Sequence, residues 1–238
     1  MQFDSVVFYG RLGEQALEMF HLAAELEAWR GASVLDCPGG PGSLSAVPRG
    51  QELEATAVDP LYALDPAELE CRALADLDHT LAVQATSSSL RADFDLERCR
   101  LEHLEALQAF LADRRAHPDR YVPASLPELP FADRRFDLVL SCHLLFSYAP
   151  LSDGGLMAGA GLDLAWHRRA LAELCRVSRQ QVRLYPAHTI ALDARRHPYA
   201  EALLAELPSG WRGRFLPSRY DQGHRGCTDA LLLERIGR

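Results

Sequence analysis

The chain has 238 residues, 48% of them hydrophobic, which suits a single sizeable domain over 1–238 with a full core. A net charge of −8 argues against nucleic-acid binding by bulk electrostatics. All 25 Lys+Arg positions are arginine and there is no asparagine, which excludes a Schiff-base lysine and every motif that needs Asn. The six cysteines are scattered without a Cys-x-x-Cys pair, so no metal site is written here, and free thiols in a reducing cytoplasm are the simplest expectation. No apolar run approaches the roughly 18 residues of a membrane span.

Residues 1–11 form a short apolar lead that ends in Tyr9-Gly10-Arg11. Leu12, Ala16, Met19, Ala23 and Leu26 repeat at helical spacing, which predicts one helix over 13–29, closed by Gly31. Val34 and Leu35 then enter a strand that ends on Asp36, followed by Cys37-Pro38-Gly39-Gly40-Pro41-Gly42-Ser43. Glycine lets a ligand approach the backbone because no Cβ stands in the way. Ser43 offers an N-cap for a short helix over 44–47, which Pro48 stops. Strand, glycine loop and helix start together predict a nucleotide site.

The second strand is 54–58, and Asp59 ends it, 23 residues after Asp36. An acid there can accept from both hydroxyls of a ribose. Pro60 and Leu61 follow, where an apolar side chain can lie against an adenine. A helical excursion then occupies about 65–115. Asp65-Pro66-Ala67-Glu68 predicts a capped helix to about residue 83, and Asp95 begins a second one with Leu96, Cys99, Leu104, Leu107 and Leu111 as its stripe. Both helices, with the glycine-rich run 154–161, are expected to border one opening onto the site as a lid or substrate wall; the alternative is a helical hairpin that only thickens the core.

A short third strand near 120–125 precedes Leu126-Pro127-Glu128-Leu129-Pro130-Phe131 and the apolar strand Phe136-Asp137-Leu138-Val139-Leu140-Ser141. The apolar centre of that strand fits a parallel sheet covered on both faces. His143 and Tyr148 lie beyond its end, where open parallel sheets bind ligands; His143 is a candidate general base or a packed histidine. The glycine-rich run 154–161 is a flap or a long connector. A helix over 163–177 and strand five over 181–185 follow, with His188 a second-rank candidate. A helix then runs from Pro198 to Pro208. Two strands over 213–221 and 227–236, joined by Gly223-His224-Arg225-Gly226, end the chain.

Asp36-x-Pro38-x-Gly40-x-Gly42 resembles the acidic-x-Gly-x-Gly-x-Gly motif of class I S-adenosylmethionine (SAM)-dependent methyltransferases, with Pro38 in place of the first glycine. The passage from Ser125 through Leu140 resembles the "G-D-A-x-x-L-P-F … F-D-L-V" stretch of the same family, with Ser125 where an aspartate often meets the adenine amino group. The resemblance implies an α/β fold: a Rossmann-like sheet, mostly parallel, with a C-terminal antiparallel hairpin, helices on both faces and the insertion after strand two. It implies SAM as cofactor, held by Arg11, Asp36, Pro38, Gly39, Gly40, Gly42, Asp59, Pro60, Leu61, Ser125, Leu126 and Ser141. His143 and Tyr148 would then face the methyl group, and the acceptor would be a small molecule. A pyrophosphate beside Asp36 would be repelled, whereas an ammonium or sulfonium would not. Two other readings stay open: an NAD(P)-linked oxidoreductase and a SAM-binding protein that transfers nothing.

Overall fold

A computed structural model describes residues 1–42, 44–46, 53–159 and 161–237. The N-cap expected at Ser43 and the helix end at Val47 and Pro48 lie outside the described residues.

Among the described residues there are nine strands: β1 Ser33–Asp36, β2 Glu54–Val58, β3 Tyr121–Val122, β4 Phe136–Cys142, β5 Ser178–Tyr185, β6 Asp193–Ala194, β7 Trp211–Pro217, β8 Arg225–Gly226 and β9 Asp229–Arg235. Seven of them form one sheet in the order β3-β2-β1-β4-β5-β9-β7. The first five are parallel to their neighbours, while β9 runs antiparallel to both β5 and β7. This is the expected Rossmann-like sheet, mostly parallel, with a reversed C-terminal strand. β6 and β8 form a separate parallel pair.

The apolar residues of the central strands alternate between two layers, as the two-residue period of a strand requires. Leu35, Val139, Val182, Leu231 and Leu233 pack with α4 (Leu164–Val177) and α5 (Pro198–Ala205) on one face. Val34, Leu138, Leu140 and Ala230 pack with α1 (Gly13–Met19) on the other. The insertion forms α2 (Pro66–Ala85) and α3 (Leu96–Ala116), which pack near β2 and β3 around Tyr62, Phe110 and Tyr121. Asp65 accepts from the amides of Ala67 and Glu68, and Asp95 from that of Arg98, so both helices begin at the expected caps.

The helix expected over 13–29 is two pieces. α1 ends at Met19, and a 3-10 turn over Leu26–Trp29 follows a break. Arg183 of β5, 1% exposed, donates to the carbonyls of Phe20 (2.8 Å) and His21 (3.2 Å) and to Glu25 Oε2 (2.5 Å). Those carbonyls would otherwise accept from the next helical turn, and His21 takes φ +56°. The apolar spacing runs on because both pieces face the same core, through Met19, Leu22 and Trp29.

The described part of the run 154–161 is pinned by backbone hydrogen bonds. Leu156 N donates to Ser147 O (2.8 Å), Met157 N to Ala149 O (3.1 Å) and Leu162 N to Tyr148 O (2.8 Å). The amino-terminal segment is tied to it, with Phe3 N donating to Leu156 O (2.8 Å) and Ala158 N to Phe3 O (3.0 Å).

Candidate functional site

The carboxyl ends of β1, β2 and β4 open onto a cavity of about 440 Å³. Its wall includes Arg11, Asp36, Pro38, Gly39, Gly40, Gly42, Asp59, Pro60, Leu61, Ser125 and Leu126, residues that lie far apart in the chain. His143 and Tyr148 are on the same wall. Ser141 is not: it is buried in β4, and its hydroxyl has no partner. His188 is likewise buried away from the cavity, with Nδ1 against Thr189 O.

Local hydrogen bonds set the glycine loop. Cys37 N donates to Leu140 O (2.9 Å), Gly39 N to Val58 O (2.8 Å), and the Tyr62 hydroxyl to Gly40 O (2.7 Å). Gly40 takes φ +53°, a conformation that disfavours a side chain. The wall of the loop comes from the segment 1–11, of which Arg11 alone was expected at the site. A Cβ on Gly10 would stand 2.2 Å from Pro41 O, so only glycine lets the two backbones meet. The segment crosses the cavity with Val7 N donating to the Tyr148 hydroxyl (3.2 Å) and Phe8 N to Asp76 Oδ2 of α2 (2.6 Å). Of the two inserted helices, α2 lines the cavity through Arg72, Thr80 and Gln84, while α3 contributes no lining residue. α3 buries His103, Ala106 and Phe110, so among the described residues only one of the expected helices lines the cavity.

The electrostatics of the cavity are unusual. Asp36 and Asp59 are 6% and 7% exposed, and neither is paired with a cation among the described residues. Burial, helped by the charge of Asp59, pushes the Asp36 carboxyl up to about 8. Burial pushes Asp59 up to about 6, against the pull of the Leu61 and Gly40 amides. The Asp59 side chain also caps the turn after β2 by accepting from Leu61 N at 2.9 Å. Arg11 supplies the opposite charge. It is half-buried, its guanidinium lies 4.7 Å from the centre of the Tyr9 ring, and it has no carboxylate partner among the described residues. Its Nη1 donates to His103 Nε2, while His103 Nδ1 donates to Cys99 O (2.6 Å). Burial and the nearby guanidinium hold His103 well below the usual histidine range, so it can accept from Arg11 as a neutral ring. Arg11 Nε is buried without a partner. His103 was missed because a histidine inside an apolar stripe carries no sequence signal.

His143 is held on both sides. The Tyr185 hydroxyl donates to Gln222 Oε1 (3.1 Å), which turns the Gln222 amide nitrogen toward His143 Nε2 (2.8 Å). The proton then sits on His143 Nδ1, 2.9 Å from Cys142 Sγ. Burial and Arg11 hold this imidazole well below its usual range, so it is neutral, with its lone pair engaged. The Tyr148 hydroxyl accepts from Val7 N and is pushed up to about 12 by burial. Among the described residues no group of three or more His, Cys, Asp or Glu could hold a metal ion.

The carboxylates set a pH dependence. Their folded pKa values lie above the ordinary 3.8, so the stability they contribute is full below that value and is lost as pH rises through about 6 and about 8. The buried histidines act in the opposite direction, but only at and below their ordinary 6.5. Between about pH 7 and 8.5 the melting temperature of the ligand-free protein is therefore expected to fall. Asp36→Asn should flatten that slope; an equal slope in wild type and variant would mean that Asp36 is ionised throughout.

No family model matches the sequence. An uncharacterized protein of Methanocaldococcus jannaschii is 23% identical over 239 residues, covering 99% of each chain. Among solved structures, a 1,6-didemethyltoxoflavin-N1-methyltransferase of Burkholderia thailandensis, with bound S-adenosylhomocysteine, is 16% identical at a TM-score of 0.48, covering 93% of this chain and 79% of that one. The magnesium protoporphyrin IX methyltransferase of Synechocystis, with bound SAM, is 14% identical at a TM-score of 0.45, covering 94% and 80%. The N-methyltransferase NodS of Bradyrhizobium japonicum is 11% identical at a TM-score of 0.43, covering 95% and 94%. Likenesses of this strength do not carry an activity from one chain to another.

Proposed function

We propose that this protein binds SAM and transfers its methyl group to a small-molecule acceptor, with residues 1–238 acting as one domain. The observation that carries this reading is the set of charges on the cavity wall. Among the described residues, Asp36 and Asp59 lack a cation, and Arg11 lacks a carboxylate. A ligand with one carboxylate, one ammonium and a ribose diol satisfies all three, and SAM adds a sulfonium that favours a negative site. Arg11 would take the carboxylate, Asp36 the ammonium and Asp59 the two ribose hydroxyls. Pro60, Leu61 and Leu126 would border the adenine, with Ser125 beside it. A dinucleotide fits less well. Its pyrophosphate would lie beside two carboxylates, and the glycine loop leads into a 3-10 turn over Leu44–Ala46 with Pro48 just beyond.

The bound cofactor supplies an electrophilic methyl on a sulfonium. The chain's part is to hold that methyl in line with the acceptor atom, exclude water, and let the acceptor's proton leave. The engaged lone pair of His143 leaves positioning as the main contribution. With any acceptor that turns over, His143→Ala is expected to lower the rate by less than the roughly 10²–10⁴-fold typical of losing a general base. A loss within that range would make His143 the base.

Thermal unfolding tests the cofactor assignment. SAM at about 100 times its Kd should stabilise the fold by about 2.7 kcal/mol, a rise of roughly 5–10 °C for a chain of this size. NAD should give no rise; a rise with NAD and none with SAM would transfer the site to a dinucleotide enzyme. We place the protein in the cytoplasm, a location supported by six free cysteines. Among the described residues no helix is long and apolar enough to cross a membrane.

A further inference from the structure

The cavity has a second wall that the cofactor charges do not use. Thr80 and Gln84 stand one turn apart on the inner face of α2, and both line the cavity. Thr80 Oγ1 and Gln84 Oε1 are buried and have no hydrogen-bond partner among the described residues. The same holds for Ser147 Oγ, on the loop after β4 and also on the wall. Folded proteins leave few such atoms, and three on one cavity wall form a set shaped for a ligand. The other fully buried residues of α2, Leu69, Ala73 and Leu77, are apolar, so packing alone would place an aliphatic residue at position 80.

The surroundings fix the chemistry of that ligand. Phe3, Val6, Leu90, Leu156 and Leu162 line the cavity as apolar surface. The nearby cation Arg72 is already ion-paired with Asp76 at 2.8 Å. The Met1 ammonium donates to Ser89 Oγ at 3.4 Å. His224 donates from Nδ1 to Ser89 O (2.9 Å), and burial holds it and His143 neutral. Arg11 is left for the cofactor carboxylate, and the Met1 ammonium stands at the rim with a neutral partner; the three oxygens themselves offer acceptors to a neutral hydroxyl or amine.

We propose that Thr80, Gln84 and Ser147 form the acceptor subsite, and that the methyl acceptor is an uncharged, largely apolar small molecule whose hydroxyl or amine donates a hydrogen bond to Gln84 Oε1. This deepens the methyltransferase reading and rests on it. It also explains why α2 keeps polar groups that cost stability in the free protein. Replacing an unpartnered buried oxygen by an apolar group of the same shape is neutral or stabilising, so Thr80→Val should leave the melting temperature unchanged or raise it.

Fluorescence titration with 2-naphthol, naphthalene and 2-naphthoate tests the assignment, each run with and without saturating S-adenosylhomocysteine. Wild type is expected to bind 2-naphthol with a Kd below about 1 mM, and roughly tenfold tighter than either of the others. Gln84→Leu should weaken 2-naphthol about tenfold while leaving naphthalene and S-adenosylhomocysteine within about twofold, the size of one lost hydrogen bond. Thr80→Val is the second variant should Gln84→Leu fail to fold. Failure of S-adenosylhomocysteine to bind overturns the cofactor assignment, and the naphthol series without it then still decides the subsite. Tighter binding of 2-naphthoate, no saturable binding of 2-naphthol, or an unchanged 2-naphthol affinity in the variants would each overturn the proposal.

Discussion

Arg11→Met is expected to weaken SAM binding by about 10²-fold while leaving the fold intact. The guanidinium lies against the Tyr9 ring, donates to the neutral His103 ring, and lacks a carboxylate among the described residues. Once the ligand carboxylate lies against it, the pair is shielded from water. Removing one member of a shielded pair costs about 3 kcal/mol at the low end, close to 10² in Kd. Methionine keeps the apolar stem that packs near Tyr9. Because the free protein loses a charge with no ionic partner, its melting temperature should hold or rise. Calorimetry with SAM and a melting curve together check this. Unchanged affinity would leave Arg11 as a structural clasp between the amino-terminal segment and α3.

Asp59→Asn should weaken SAM by about tenfold or more, the worth of a hydrogen bond to a charged acceptor. Asparagine keeps one oxygen for the Leu61 amide, so the turn after β2 stays capped. What it loses is the second acceptor oxygen that a ribose diol needs. Asp59→Ala removes the cap as well and should do more harm. If Asn and Asp bind SAM equally well, the ribose is held elsewhere.

Much of the fold and of the cavity wall around the glycine loop was legible in the sequence, because those signals are local. An apolar run that ends on an acid names both a strand and the side chain at its tip, which is how Asp36 and Asp59 were found. Asp65 and Asp95 mark the starts of α2 and α3 because a cap needs only its own next three residues. What could not be read depends on partners far away in the chain. Nothing near residue 20 announces Arg183, 163 positions later, which takes the carbonyls that would have continued α1. Gly10 looked like an ordinary glycine until Pro41 O stood against it. α3 was expected at the opening, but its leucines shared their stripe with His103, and the buried face is centred on His103, Ala106 and Phe110. Gly40 was recognised as important, yet the reason lies in its positive φ: a Cβ there would meet Tyr9 O only at an ordinary 3.6 Å.

The most direct test is a calorimetric titration of the wild-type chain with SAM and, separately, with NAD. Near pH 7 it should be repeated in two buffers of different ionisation heat. Asp36, raised to about 8, is largely protonated there and must give up its proton to pair with an ammonium. The expected result is saturable one-to-one binding of SAM with net proton release, affinity rising about tenfold per pH unit up to about 8, and no binding of NAD. Binding of NAD without binding of SAM would contradict the account.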